Sequence, residues 1–137
     1  MNLKPDQLNT NSFDKEKMKS ILQDVIDGKF DLFNVETMAN YDAEFSGEEP
    51  YFINIWNKQK DHGFGYVVFH DFLHRVGIGK TFNSTNFTDD GKKLFDKAVS
   101  DGLIEKMSEP FGLQNLTKWK VVGDSIAHLK KIKDLLG

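Results

Sequence analysis

The chain contains no cysteine, only three prolines and a single arginine, Arg75. The absence of cysteine excludes disulfides and thiolate metal sites. No stretch approaches the run of about 18 apolar residues that a transmembrane helix needs, so we expect no membrane span. The first residues lack a basic segment followed by an apolar run, which predicts that they are not a secretory signal. The absence of cysteine leaves the redox compartment open, but the absence of a span and of a signal predicts a cytoplasmic protein.

Charge is unevenly distributed along the chain, although the net charge is only −3. Residues 1–50 hold 5 lysines and 11 acidic residues, whereas residues 51–137 hold 12 lysines, Arg75 and 10 acidic residues. The first part is therefore acidic and the second mildly basic. A basic face is what binding to phosphate groups requires.

Two terminal segments have the spacing of amphipathic helices. The first, Phe13–Asp27, can be capped by Ser12 or Asp14 and is followed by Gly28. The second, Ser125–Leu136, follows Asp124, which is another good N-cap residue. Two such apolar stripes exceed what a small core needs. They predict either a homodimer through the terminal helices, which is the preferred interpretation, or a pair of helices folded back on each other.

The residues between these helices alternate between helical and extended patterns. Helices are predicted at Val35–Tyr41, Tyr51–Asp61, Phe69–Val76 and Thr88–Asp101. Strands are predicted at Tyr66–Val68, Leu103–Met107 and Thr117–Val122, with connections at Asp42–Glu49, Ile78–Asn86 and Ser108–Leu116.

The order helix, turn, helix and two strands around a loop resembles a winged-helix domain over residues 50–123. The resemblance implies a mostly helical α+β fold, with a three-helix core and a small antiparallel wing sheet. Residues 1–137 would form a single domain, in which 1–49 are an acidic helical extension and 124–137 a C-terminal helix. The predicted core residues are Phe52, Ile55, Trp56, Phe72, Leu73, Leu94, Phe95, Ala98 and Val99.

In a winged helix, the turn and the second helix approach the major groove of duplex DNA. Lysine neutralises phosphates, while serine, threonine and asparagine suit phosphate and base-edge hydrogen bonds. The resemblance therefore implies a DNA-binding transcription regulator, although Asp89 and Asp90 would repel the DNA backbone. The predicted DNA contacts are Lys80, Asn83, Ser84, Asn86, Lys92, Lys93, Lys97, Lys118 and Lys120.

The alternative hypothesis is a non-enzymatic protein-interaction module with the same fold. The composition would suit an accessory or inhibitor protein encoded by a phage or mobile element. The acidic connection and the tip of the presumed wing would then contact a protein partner. The predicted contacts are Asp42, Glu44, Glu48, Glu49 and Phe111.

A third hypothesis comes from His70 and His74, which are four residues apart and could share one helical face. The string resembles the HExxH motif of zinc metallopeptidases, but Asp71 replaces the general-base glutamate. In the longer metzincin pattern a third histidine would stand at Lys80. We therefore predict no tight zinc binding, no catalytic residue and no cofactor. A zinc-dependent hydrolase is the least favoured of the three hypotheses.

Overall fold

The computed structural model describes residues 14–34, 36–58, 63–85, 89–108, 112 and 116–137, apart from the side chain of Asp90. Over these residues the chain forms four helices and five strands. The helices are α1 Lys15–Ile26, α2 Phe64–Val76, α3 Asp89–Ser100 and α4 Ser125–Leu136. The strands are β1 Ala39–Glu44, β2 Tyr51–Asn57, β3 Thr81–Ser84, β4 Ile104–Lys106 and β5 Thr117–Val121. No helix in these ranges is long and apolar enough to cross a membrane.

The strands form one mixed sheet in the order β1-β2-β3-β5-β4. The β2 and β3 strands are parallel and are connected through α2, whereas the other neighbouring pairs are antiparallel. A five-stranded sheet does not fit a three-helix core with a small wing, so the predicted winged-helix fold is wrong. The predicted wing strands do exist, as β4 and β5, but they are two strands of a five-stranded sheet.

The central element is α2, in which nearly every side chain is buried. It packs against β1 and β2 and also against α1 and α4. Residues 64–70 of α2 are buried or half-buried around the whole helix, so this part has no exposed polar face and lacks the amphipathic pattern that identifies helices. The predicted strand Tyr66–Val68 is therefore wrong: these residues lie in the first half of α2, which begins after Gly63.

An aromatic cluster fills the space between α2, α3 and the sheet. Phe95 of α3 lies 4.9 Å from both Phe69 and Trp119, measured between ring centroids. Phe72 packs edge-on against Phe82 at 4.9 Å. Most of the predicted core is confirmed, because Phe52, Phe72, Leu73, Phe95 and Ala98 are buried and Ile55 and Leu94 pack against them. The prediction is wrong for Val99, which is 44% exposed although the other predicted residues of α3 face the core, and Trp56 is only half-buried.

The strands β1 and β2 replace the predicted helices Val35–Tyr41 and Tyr51–Asp61. Asp42 pairs with Asn54 and Ala43 pairs with Phe52, so Ile53 is an extra residue that forms a β-bulge. The bulge turns both Phe52 and Ile55 towards α2, although they are three residues apart. Three-residue spacing of apolar side chains is the signature of a helix, which explains why the sequence pattern was misleading.

Both predicted terminal helices are confirmed, as α1 and α4. The carboxylates of Asp14 and Asp124 accept hydrogen bonds from the amides of Lys17 and Ala127, as N-caps do. The two helices pack against each other and against α2. The structure thus has the folded-back arrangement: the stripe of α1 is buried, and Ile126, Leu129, Ile132 and Leu136 of α4 pack against the core. Leu135 of the α4 stripe is 88% exposed, and the homodimer stays a prediction. Ser12, Phe13, Val35 and Thr88 lie outside the described residues.

The close approach of two turns at Gly123 gives the first prediction. A Cβ atom at this position would overlap the carbonyl oxygen of Gly102 and lie 3.1 Å from Leu103 Cα, both backbone atoms. The same two segments are joined by a hydrogen bond of 2.9 Å from Val122 N–H to the Leu103 carbonyl. Gly123→Ala must push them apart, so we expect it to lower the free energy of unfolding by about 1–3 kcal/mol, measured by urea denaturation.

Gly47 offers a matched control for this prediction. A Cβ atom there would make only an ordinary contact of 3.7 Å with the Glu49 carbonyl oxygen. We expect Gly47→Ala to leave stability unchanged or slightly raised, because it restricts the unfolded chain without a clash. Equal losses in the two variants would mean that the approach at Gly123 is not tight.

Candidate functional site

An acidic surface runs along one edge of the sheet, where β1 has a single neighbouring strand among the described residues. Residues 24–50 contain eight acidic side chains and one lysine, a balance of −7 within a chain of net charge −3. We define the acidic edge as the exposed acidic and aromatic residues of β1 and of the turns before and after it. Its members are Asp31, Phe33, Glu36, Asp42, Glu44, Phe45 and Glu48.

The turn before β1 is held against the strand by the side chain of Asn40. Its amide nitrogen donates to the carbonyl oxygens of Asp31, at 3.0 Å, and Asn34, at 3.1 Å. This turn presents Phe33 with 91% of its surface exposed. An aromatic side chain that is almost fully solvated contributes nothing to the core, so it is available to a partner.

Phe45 is a second exposed aromatic residue, placed directly after β1. It is 38% exposed and its ring lies 5.7 Å from that of Phe72 in the core. Asp42, Glu44 and Glu48 surround it in the chain, and none of them forms an ion pair with a described residue. The acidic edge therefore combines carboxylates that form no ion pair with a described residue and an aromatic ring that packs against Phe72 of the core.

Glu49 differs from the other predicted partner contacts. Its carboxylate accepts hydrogen bonds from Thr81 Oγ1 and from Asn83 Nδ2, the latter at 3.3 Å, and forms an ion pair of 3.2 Å with Lys118. The Thr81 bond, and after it the bonds from Lys118 and Asn83, lower the pKa of Glu49, although partial burial opposes this. Glu49 thus ties the β1–β2 turn to β3 and β5. Phe111, the remaining predicted partner contact, lies outside the described residues.

An open cleft of about 530 Å³ lies beside the acidic edge. Its lining includes Phe45 and Glu48 of the acidic edge together with Arg75, Lys80 and Thr81. Its volume falls within the range of small-molecule sites, which lies between roughly 300 and 1,000 Å³. Both signs of charge face the opening, so the cleft has no single electrostatic preference.

A hydrogen-bonded triad of two buried residues, Tyr41 and Asp71, and the partly exposed Arg75 connects α2 to the acidic edge. The Tyr41 hydroxyl donates to Asp71 Oδ2 at 2.6 Å, and Arg75 Nε contacts the same oxygen at 2.7 Å. Arg75 Nη2 also donates to the Phe30 carbonyl at 3.1 Å. Burial, followed by the negative charge of Asp71, raises the pKa of Tyr41, so its hydroxyl keeps the proton that it donates. The triad fixes β1 and the preceding turn relative to α2.

The residues predicted to contact DNA fall into separate groups. Lys92 and Lys93 are exposed on α3. Asp89 and Asp96 lie about one helical turn before and after them, so negative and positive side chains alternate along the helix. Lys97 lies with its Nζ 4.9 Å from the centroid of the Tyr66 ring. The positive charge on this helix is therefore interrupted.

The remaining predicted DNA contacts lie at the sheet. Asn83, Lys118 and Lys120 alternate with buried residues of β3 and β5, so they face away from the helices. Ser84 faces the core instead, where its hydroxyl accepts a hydrogen bond of 2.9 Å from Trp119 Nε1. Lys80 lines the cleft, and Asn86 lies outside the described residues.

His70 and His74 do not converge on one site. His70 is completely buried and both of its ring nitrogens have partners: the Tyr66 carbonyl at 2.7 Å and His128 Nδ1 at 2.8 Å. His74 is exposed on another side of α2. Among the described residues there is no group of three or more histidine, cysteine, aspartate or glutamate side chains that could hold a metal ion.

Sequence reasoning identified the acidic connection but missed the contacts that organise it. The Asp71–Arg75 pair has the four-residue spacing of a helical ion pair and was detectable in principle. Tyr41 and Asp71 are 30 residues apart, and His70 and His128 are 58 residues apart, so no local pattern connects them. Comparisons with protein families, with curated proteins and with solved structures gave no match to this chain.

Proposed function

We propose that the protein is a non-enzymatic interaction module that binds a protein partner with a basic surface through its acidic edge. The observation that carries the proposal is the group of exposed carboxylates Asp42, Glu44 and Glu48, which form no ion pair with a described residue and lie close in the chain to exposed Phe45. Exposed aromatic side chains are typical interface anchors, and polar residues typically form the rim of an interface. The carboxylates would attract a basic partner over several ångströms and orient it before contact.

The charge of the acidic edge supports a protein partner over duplex DNA. Phosphate groups would be repelled by the balance of −7 over residues 24–50. The competing proposal, DNA bound through the predicted lysines, depends on Lys92 and Lys93, whose charge is interrupted by Asp89 and Asp96. Lysine and arginine side chains of a protein partner, by contrast, would gain a counter-charge at the acidic edge.

The second prediction tests where a basic ligand binds. The probe is a short peptide in which lysine alternates with leucine, added to the full chain while backbone amide NMR signals are recorded. We expect the largest shifts at the acidic edge. Each carboxylate–ammonium contact at about 4 Å in water contributes on the order of 1 kcal/mol, so replacing Asp42, Glu44 and Glu48 with alanine is expected to weaken binding roughly 10- to 100-fold.

The control changes the net charge equally but elsewhere. Replacing Asp89, Asp96 and Glu105 with alanine removes three exposed carboxylates from α3 and β4. We expect this variant to keep the affinity of the unmodified protein for the peptide. Equal weakening in both variants, or shifts spread evenly over all acidic residues, would show that only net charge matters. The same NMR experiment with a short mixed-sequence DNA duplex tests the DNA proposal. Larger signal shifts at Lys92 and Lys93 with the duplex than at the acidic edge with the peptide would favour that proposal.

A further inference from the structure

The two histidines of the core link α2 to α4. His70 Nε2 lies 2.8 Å from His128 Nδ1, and the two rings are parallel to within 7°. His70 is completely buried, whereas the side chain of His128 is 24% exposed. On its other side, His128 Nε2 faces Asp101 Oδ2 at 3.7 Å, at the end of α3. Three helices therefore meet at this pair.

The positions of the protons follow from the partners. A carbonyl oxygen can only accept, so His70 Nδ1, 2.7 Å from the Tyr66 carbonyl, must carry a hydrogen. Neutral imidazole has one N–H group, which leaves His70 Nε2 as an acceptor and makes His128 Nδ1 the donor. His128 can then take a proton on Nε2, facing the Asp101 carboxylate. A proton on His70 Nε2 would instead place two N–H groups against each other at 2.8 Å.

Other charged groups also face the pair. From α2, the Tyr66 hydroxyl donates to Asp101 Oδ2 at 2.5 Å, and burial raises the pKa of Tyr66 so that this hydroxyl stays protonated. From α3, Lys97 lies over the Tyr66 ring. The residues that α1 buries are apolar: Met18, Ile21, Leu22 and Val25. Burial, followed by the charges of His128 and Lys97, lowers the pKa of His70 to about 4, although the Tyr66 carbonyl and Asp101 oppose this.

We propose that the His70–His128 pair is a proton-operated clasp that holds α4 against α2. The clasp is closed when both rings are neutral, and also when His128 alone carries an additional proton. A second extra proton, on His70, removes the acceptor for His128 Nδ1–H and puts two positive rings in contact. The arrangement then opens and α4 loses its polar attachment to α2, while the apolar contacts of the sheet with α2 and α3 stay in place.

The direction of the pH dependence follows from the two states of His70. In the opened state its ring is solvated and has the ordinary pKa of about 6.5, whereas in the closed state the pKa is about 4. The opened state therefore binds the proton more readily, and the closed state is favoured above pH 6.5 and weakened as the pH falls towards 4. At pH 4 the opening equilibrium is expected to be about 100-fold more favourable than at pH 7.

The third prediction uses amide hydrogen exchange on the full chain between pH 7 and pH 4, with protection corrected for the intrinsic exchange rate. We expect the protection of α4 amides to fall about 100-fold relative to those of β5. His70→Gln removes the proton acceptor, so its α4 protection is expected not to change with pH in this way. His74→Gln, an exposed histidine on the same helix, is the matched control and should behave like the unmodified protein.

Ring-nitrogen NMR on the unmodified protein provides a second measurement if His70→Gln fails to fold. At pH 7 we expect His70 to carry its hydrogen on Nδ1 and His128 to carry one on Nδ1. Protonation of His70 should coincide with the loss of α4 protection. The clasp is overturned if His70 gains its proton without any change in α4, if protection falls equally in α4 and β5, or if His74→Gln abolishes the effect.

Discussion

Replacing Phe95 with alanine is expected to lower the free energy of unfolding by about 3–5 kcal/mol, the usual cost of truncating a fully buried phenylalanine. Phe95 is 1% exposed and contacts rings from three different elements: Phe52 of β2, Phe69 of α2 and Trp119 of β5. Its removal would leave a cavity that these rings cannot close, because each is also held by other neighbours. Urea denaturation followed by circular dichroism measures the loss.

Val99 provides the control on the same helix. It is 44% exposed, one turn after Phe95, so truncation removes few contacts. We expect Val99→Ala to change stability by no more than about 0.5 kcal/mol. If the two variants lost similar free energy, the assignment of which side of α3 faces the sheet would be incorrect.

The parts of the fold that could be predicted from sequence are those with a local signal. Both terminal helices have an apolar stripe on one face and an aspartate N-cap, and both appear within two residues of the predicted ends. The strand β4 follows the turn that contains Gly102, and β5 alternates buried and half-buried positions. Each of these signals depends on residues within one or two turns of the chain, and no distant contact overrides it.

The rest of the fold is decided by distant contacts. The first half of α2 contains Tyr66, Val67 and Val68, which favour strands, but burial on all sides makes a helix the better solution there. β2 has helical spacing because of the bulge at Ile53. β3 pairs with β2 in parallel, and this contact requires the whole of α2 between the two strands. The residues near Thr81–Ser84 therefore contain no local pattern that predicts a strand.

The acidic edge was partly accessible to sequence reasoning, since Asp42, Glu44 and Glu48 form a recognisable run. What the sequence did not reveal is that the run begins in an edge strand and that Phe33 is brought close to that strand by Asn40. Glu49 belongs to the same run but is neutralised by Lys118, which is distant in sequence. The position of a carboxylate in the fold, and not its presence in a run, decides whether it is free to bind a partner.

Asp71→Ala is expected to lower the free energy of unfolding by about 3 kcal/mol. The substitution leaves the buried Tyr41 hydroxyl without its acceptor, at a cost of roughly 1–3 kcal/mol, and leaves Arg75 without its counter-charge. Breaking a buried ion pair typically costs about 3–5 kcal/mol, but the Arg75 side chain is 38% exposed. Water can therefore solvate the guanidinium, which places the expected loss at the lower end of that range. Urea denaturation at neutral pH measures it.

Tyr41→Phe separates the hydroxyl from the charge in a double-mutant cycle. Alone, it removes the donor and leaves Asp71 bonded to Arg75 at 2.7 Å, so we expect a loss of about 1 kcal/mol. In the Asp71→Ala background it removes an unpaired buried hydroxyl, so it is expected to be neutral or stabilising. The coupling energy between the two sites would then be about 1–3 kcal/mol. If Tyr41→Phe had the same effect in both backgrounds, the hydrogen bond would not be what holds β1, and with it the acidic edge, to α2.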